Sequence, residues 1–220
     1  LFFVFGVALP IVLGAFWGRP LGALFWGVFL RITLVHHFTY FINSLCHFVG
    51  KKPYDHKSTS GDSWYISFLT FGEGFHNYHH KFQWDYRNGI RWFHFDPSKW
   101  SIWCLSKLGL TKGLKRTEPF QVLKARSTNI CNQVQSKLEY VPKNIRRTYQ
   151  NKLFDIKGKI TNLEVNWGHL ENEMDTFIAE KKKKILSYKL LVKQKKQYQI
   201  QYNHLIKSLS VMLFTLQNGI

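Results

Sequence analysis

The sequence predicts an all-α fold in three parts. These are a transmembrane helical hairpin over residues 1–49, a cytosolic helical cap over residues 50–120, and a basic tail over residues 121–220 built on a long coiled-coil-like helix. Three observations predict it. Residues 1–49 are almost wholly apolar or aromatic, a histidine-rich segment of helical spacing follows, and from about Thr148 apolar residues recur at steps of four and three. The mean hydropathy of -0.22 therefore averages a membrane-like head and a polar tail.

Residues 1–18 form a charge-free run near the lower limit of length for crossing hydrocarbon. Pro10 lies inside it, which a neighbouring helix or polar group must accommodate. Arg19-Pro20 marks a tight reversal. The second apolar run, from Leu21 to about Val49, exceeds one bilayer crossing, so its last turns should emerge into water. Lys51, Lys52, Lys57, Lys81, Arg87 and Arg91 crowd the region after it, and the positive-inside tendency places that region in the cytoplasm. The chain begins inside an apolar run without an initiator Met, and it reads as a fragment.

Residues 51–63 are rich in turn formers and read as a loop. Gly72-Glu73-Gly74 then punctuates an apolar stretch, and residues 75–81 form a short helix. Residues 97–110 read as an amphipathic helix at the membrane interface, with Trp100, Trp103, Cys104, Lys107 and Leu108 at helical spacings. In the tail, Tyr149, Leu153, Ile156, Ile160, Leu163, Trp167, Leu170, Met174 and Phe177 keep a heptad rhythm. It resumes at Tyr188, Leu191, Tyr198, Tyr202, Leu205, Leu209, Met212 and Leu216. This favours a long helix in a coiled coil or a helical hairpin, with a bend or break at the block Lys181–Lys184.

The net charge of +18 is spread over both halves of the chain. With no zinc-finger, homeodomain or RNA-binding signature and an apolar head on the same chain, anionic lipid is a better partner than nucleic acid. Cys46, Cys104 and Cys131 are widely spaced and odd in number, which suits a reducing cytosol rather than a disulfide framework.

The strongest chemical signal is His76-Asn77-Tyr78-His79-His80. Spacings of three and four share a helix face, so all three imidazoles could converge on one point, and imidazole binds iron, zinc, copper and nickel. A second stripe, His36, Tyr40, Asn43 and His47, lines the end of the second apolar helix, where polar groups are costly unless they face a site or water.

Here a resemblance enters. Asn43-Ser44-Leu45-Cys46-His47, Lys52-Pro53-Tyr54-Asp55, Gly72-Glu73-Gly74-Phe75-His76-Asn77-Tyr78-His79-His80 and Asp85-Tyr86 resemble the C-terminal catalytic part of the acyl-CoA (delta-9, stearoyl-CoA type) fatty acid desaturases. Trp92, Asp96-Pro97-Ser98-Lys99-Trp100 and Leu108-Gly109-Leu110 resemble the bacterial branch, and the similarity covers about residues 1–118. The resemblance implies a four-helix transmembrane bundle under a cytosolic cap with two histidine-held irons, the hairpin here matching the last two membrane helices. His76, His79 and His80 match the third histidine box, His47 an additional ligand, and Asn43 a residue reaching iron through water. Tyr40 and His36 fall beside the acyl channel, and Glu73 and Asp85 are outer acids that could orient imidazoles.

The implied reaction uses O2 and two supplied electrons to introduce a cis double bond into a long-chain acyl thioester. The implied partners are acyl-CoA (or an acyl carrier protein or lipid), membrane lipids, and an electron donor of cytochrome b5 or ferredoxin type. The first two histidine boxes are absent, and His56, His94, His169 and His204 do not supply them. The chain alone is therefore expected to be inactive. The heptad tail lies outside the resemblance and could serve self-association. A histidine-box lipid hydroxylase and a membrane-anchored coiled-coil scaffold are the alternative readings.

Overall fold

The computed structural model describes residues 1–179 and 185–218. Among them the chain is helical, with no strand beyond two isolated bridges. It divides into two compact units, one of residues 1–52 and 58–116, the other of Pro53–Lys57 and residues 117–220.

The first unit opens on the apolar hairpin. Helix α1 runs over Val4–Phe16 and helix α2 over Pro20–Phe48, with Gly18 at φ 68° in the reversal and Pro20 in the first turn of α2. Small residues let the helices approach. A β-carbon added at Gly14 would lie 2.2 Å from Ala23 Cβ, so only glycine fits there. Both helices contain a wide π-helical stretch, Val4–Ala8 and Ala23–Leu30, and the Arg31 guanidinium donates to the carbonyl of Gly6. That bond satisfies a cation which would otherwise be costly among apolar side chains. Phe25, Trp26 and Phe29 are exposed, as suits a surface that meets lipid. Among the described residues only α2 is long and apolar enough to cross a membrane; α1 is shorter than the roughly 20 residues a crossing needs. The sequence anticipated two crossings.

After α2 the chain turns extended at Val49, and Lys51 and Asp62 bridge the two arms of the following loop. Helices α3 (Trp64–Leu69), α4 (His76–Lys81) and α5 (Pro97–Lys107) build the cap. Asp96 caps α5 by accepting from Lys99 N, and its fully buried carboxylate also accepts from the amides of Asn88 and Gly89.

The second unit contains α6 (Pro119–Leu138), α7 (Lys143–Ala179) and α8 (Ile185–Asn218). Helices α7 and α8 run antiparallel. Glu171 pairs with Lys195 at 3.0 Å, Glu164 accepts from Tyr202 OH at 3.1 Å, and Phe177 stacks on Tyr188. The heptad positions Leu153, Ile160, Tyr202, Leu209, Met212 and Leu216 are buried against Leu123, Ile130, Val134 and Leu138 of α6. The rhythm thus packs as two antiparallel helices against a third. The expected bend at Lys181–Lys184 lies outside the described residues. Pro53–Lys57 joins this unit because Asn129, itself buried, accepts from the backbone N–H of His56 at 2.8 Å and lies 2.6 Å from its Nδ1.

Candidate metal centre

Three histidines, His47, His76 and His80, meet where the end of α2 faces α4. His76 Nε2 lies 3.2 Å from His47 Nε2 and 3.0 Å from His80 Nε2, and ligand atoms of the three rings fall within 4.8 Å of one another. His76 and His80 share a face because an i, i+4 step advances only about 40° around a helix. An i, i+3 step falls about 60° to the other side, which turns His79 away. Its ring centroid is 6.2 Å from that of His76 and 6.1 Å from that of His80. So two imidazoles of the box converge with His47, whereas the sequence suggested that all three of the box converge on one point.

The environment keeps the rings unprotonated. Burial, followed by the neighbouring His80, His47 and His79, holds His76 down to about 4, and burial likewise lowers His80. These rings are therefore neutral and carry free lone pairs. His76 Nε2 carries either one N–H or one lone pair in the ring plane and so cannot pair well with both His47 Nε2 and His80 Nε2; a shared metal ion would take up all three lone pairs. His76 Nδ1 and His79 Nδ1 are buried without a hydrogen-bond partner among the described residues.

Backbone contacts fix this geometry. Gly74 packs so tightly that an added β-carbon would lie 2.1 Å from Ser67 N, setting the entry to α4. Asp62 Oδ1 accepts from Tyr78 N at 3.0 Å and so caps α4 from a distant loop. Burial lifts its carboxyl to about 6, against the lowering effect of the Tyr78 and Asn77 amides. His47 Nδ1 lies 2.8 Å from Thr59 Oγ1.

Of the other residues singled out in the sequence, Asn43 is exposed and closes the main run of α2 one turn before His47. Tyr40 is exposed and meets His36 edge-on at 6.5 Å. His36 borders an apolar cavity of about 500 Å³ with Phe2, Phe5, Arg31, Ile32 and Val35. Asp85 accepts from Tyr78 OH at 2.6 Å, inside the histidine helix, and pairs with Arg87. Glu73 accepts from Asn88 Nδ2 at 2.7 Å. Thr59 and Asp62 escaped the sequence reading, since a loop of turn formers gives no sign of which hydroxyl or carboxylate will meet a distant helix.

The comparisons with known proteins bear on this site. The chain is 41% identical over 106 residues to acyl-CoA desaturase 1 of Saccharomyces cerevisiae, covering 48% of this chain and 21% of that protein. It is 41% identical over 109 residues to the sn-1 stearoyl-lipid 9-desaturase of Synechocystis sp., covering 50% of this chain and 34% of that protein. It is 38% identical over 136 residues to an acyl-CoA 5-desaturase of Anemone leveillei, covering 61% and 41%. The relatives are fatty-acid desaturases. The chain spans about a fifth to two fifths of the length of these desaturases. No family model matches it.

His94 lies outside the histidine cluster, its ring stacked on Phe75 at 4.3 Å. Burial, then Lys99 and Arg91, hold it down to about 4, against a smaller opposing effect of Asp96. An unfolded chain takes up that proton near 6.5, so between about pH 4 and 6.5 the unfolded state binds more protons. The contribution of His94 to stability is therefore full above that window and is lost as pH falls through it. His94→Phe preserves the stack and is expected to remove this slope. Denaturation midpoints of both proteins at about pH 7.5, 5.5 and 4 give the difference.

Proposed function

We propose that this chain carries part of the di-iron site of a membrane-bound fatty-acyl desaturase that introduces a cis double bond, at delta-9, into a long-chain acyl thioester. The observation that carries the reading is the meeting of His47, from the end of an apolar helix, with His76 and His80 of the cap. The desaturase relatives support it.

Paired iron, when bound, would activate O2 with two supplied electrons into an oxidant strong enough to remove one hydrogen from each of two adjacent methylenes, the oxygen leaving as water. The residues here do the holding and placing. His47, His76 and His80 would hold one metal, Asn43 would reach it through water, and His79, turned aside, would serve the other. Neutral imidazoles suit redox-active iron, and their lowered proton affinity keeps them available as ligands. Helix α2 anchors the site at the bilayer surface, with the lysines and arginines after it on the cytoplasmic side. An acyl chain beside the apolar face of α2 near His36 and Tyr40 would be positioned by its path rather than by polar recognition. The substrate carrier is coenzyme A in this reading, and the electron donor is of cytochrome b5 or ferredoxin type. A paired centre needs more imidazoles than these four supply, so the chain alone is inactive.

The test is to express the reading frame that carries this chain in cells lacking their own desaturase. New monounsaturated fatty acids that vanish with His79→Ala support the proposal. Hydroxylated products, or unchanged lipids, overturn it.

A further inference from the structure

His47 has two ring nitrogens, and only one can serve the centre. Its Nε2 faces His76 Nε2 at 3.2 Å, while its Nδ1 lies 2.8 Å from Thr59 Oγ1. A neutral imidazole carries one proton, so a ring whose Nε2 lone pair faces the cluster must keep that proton on Nδ1. The N–H then needs an acceptor, and the Thr59 hydroxyl oxygen stands at hydrogen-bond distance.

We propose that Thr59 is the positioning residue of His47, fixing the tautomer and ring angle that aim Nε2 at the metal. This rests on the metal centre proposed above. The placement of Thr59 is itself built. Gly61 N donates to Cys46 O at 2.7 Å, which ties the loop to the residue before His47. Lys51 and Asp62 exchange backbone bonds of 2.9 and 2.7 Å, closing the loop around Thr59. On the other side, Asn77 Nδ2 donates to Ser60 O at 3.1 Å and Asp62 takes the Tyr78 amide, so the same short segment is fastened to the helix of His76 and His80. Thr59 thus stands on backbone pinned both to the end of α2 and to α4. A hydroxyl acceptor polarises the ring less than a carboxylate would, so its effect falls on orientation more than on ligand basicity.

The test compares the full chain in detergent with Thr59→Val, which keeps the shape but loses the hydroxyl, and Thr59→Ser, which keeps the hydroxyl. Co2+ titration followed by visible absorption reads affinity and ligand field; histidine 15N NMR of the metal-free proteins reads the tautomer. The expected result is a loss of about 10–100-fold in Co2+ affinity for Thr59→Val, with Thr59→Ser within about threefold of the wild type. In the metal-free wild type, His47 should carry its proton on Nδ1, and Thr59→Val should populate the other tautomer. Thr59→Val that binds Co2+ as tightly as the wild type, or Thr59→Ser as weak as Thr59→Val at equal thermal midpoints, overturns the role of Thr59 and leaves the centre standing. A wild type that takes up no Co2+ overturns the centre, and the role of Thr59 with it.

Discussion

Alanine in place of His76 is expected to weaken metal binding at least a hundredfold while leaving the helical content of the chain unchanged. His76 is the common neighbour, its ring centroid 5.0 Å from that of His47 and 4.4 Å from that of His80, whereas the centroids of His47 and His80 stand 5.9 Å apart. Its loss leaves two imidazoles with nothing between them. Structural zinc sites of four ligands bind with about 10–16 kcal/mol, so one ligand is worth about 2.5–4 kcal/mol, or roughly a hundredfold to several hundredfold in affinity. The fold should tolerate the change, because alanine favours a helix and the removed ring is neutral. Co2+ titration measures the loss, with His94→Ala as a variant outside the cluster that should bind as the wild type does. Retention of affinity within tenfold would mean that the three rings do not share one ion.

Gly74→Ala should be nearly as damaging by a different route. The added methyl would press on Ser67 N at 2.1 Å, Ser67 Cα at 2.5 Å and Ser63 O at 2.7 Å. All three are backbone or α-carbon atoms, and none can swing aside as a side-chain tip could. Room appears only if α3 and the entry to α4 move apart, which also breaks the bond from Ser63 N to Gly74 O. We expect a cost of about 3 kcal/mol and a metal site loosened in proportion, because His76 lies two residues on. Thermal midpoints and Co2+ affinity of the full chain check both effects. A variant with an unchanged midpoint would show that the close approach is not required.

The two predictions also mark what could be read from the sequence. The spacing of His76 and His80, and the place of His47 at the end of an apolar helix, announced a cluster because helical geometry is local. The divergence of His79 follows from the same geometry at a finer angle, which a shared-face rule of three-or-four blurs. Thr59 and Asp62 were invisible because their partners are set by the bridges from Lys51 to Asp62 and Asp62 to Phe75, contacts between segments far apart in the chain. In the tail, the rhythm marked Leu153, Ile160, Trp167, Leu170, Tyr202, Leu209, Met212 and Leu216, which are buried, but it also marked Tyr188, which is exposed, and missed the buried Ile206. Helix α6 went unrecognised although Leu123, Ile130, Val134 and Leu138 keep a similar beat, because Ser127 interrupts the apolar pattern. Ser127 is buried there to meet the hydroxyl of Tyr202 at 2.9 Å.

The placement of Pro53–Lys57 with α6, α7 and α8 bears on how this protein can be dissected. A scissors cut after Arg116 looks like the natural way to free the first unit from its helical neighbour. It would also strip five residues in the middle of the first unit's own loop of their seat on Asn129. Shortened versions of this polypeptide therefore need either a replacement for that seat or a redesigned crossing between Lys52 and Ser58, and a truncation that loses metal binding can do so through this loop rather than through the missing tail.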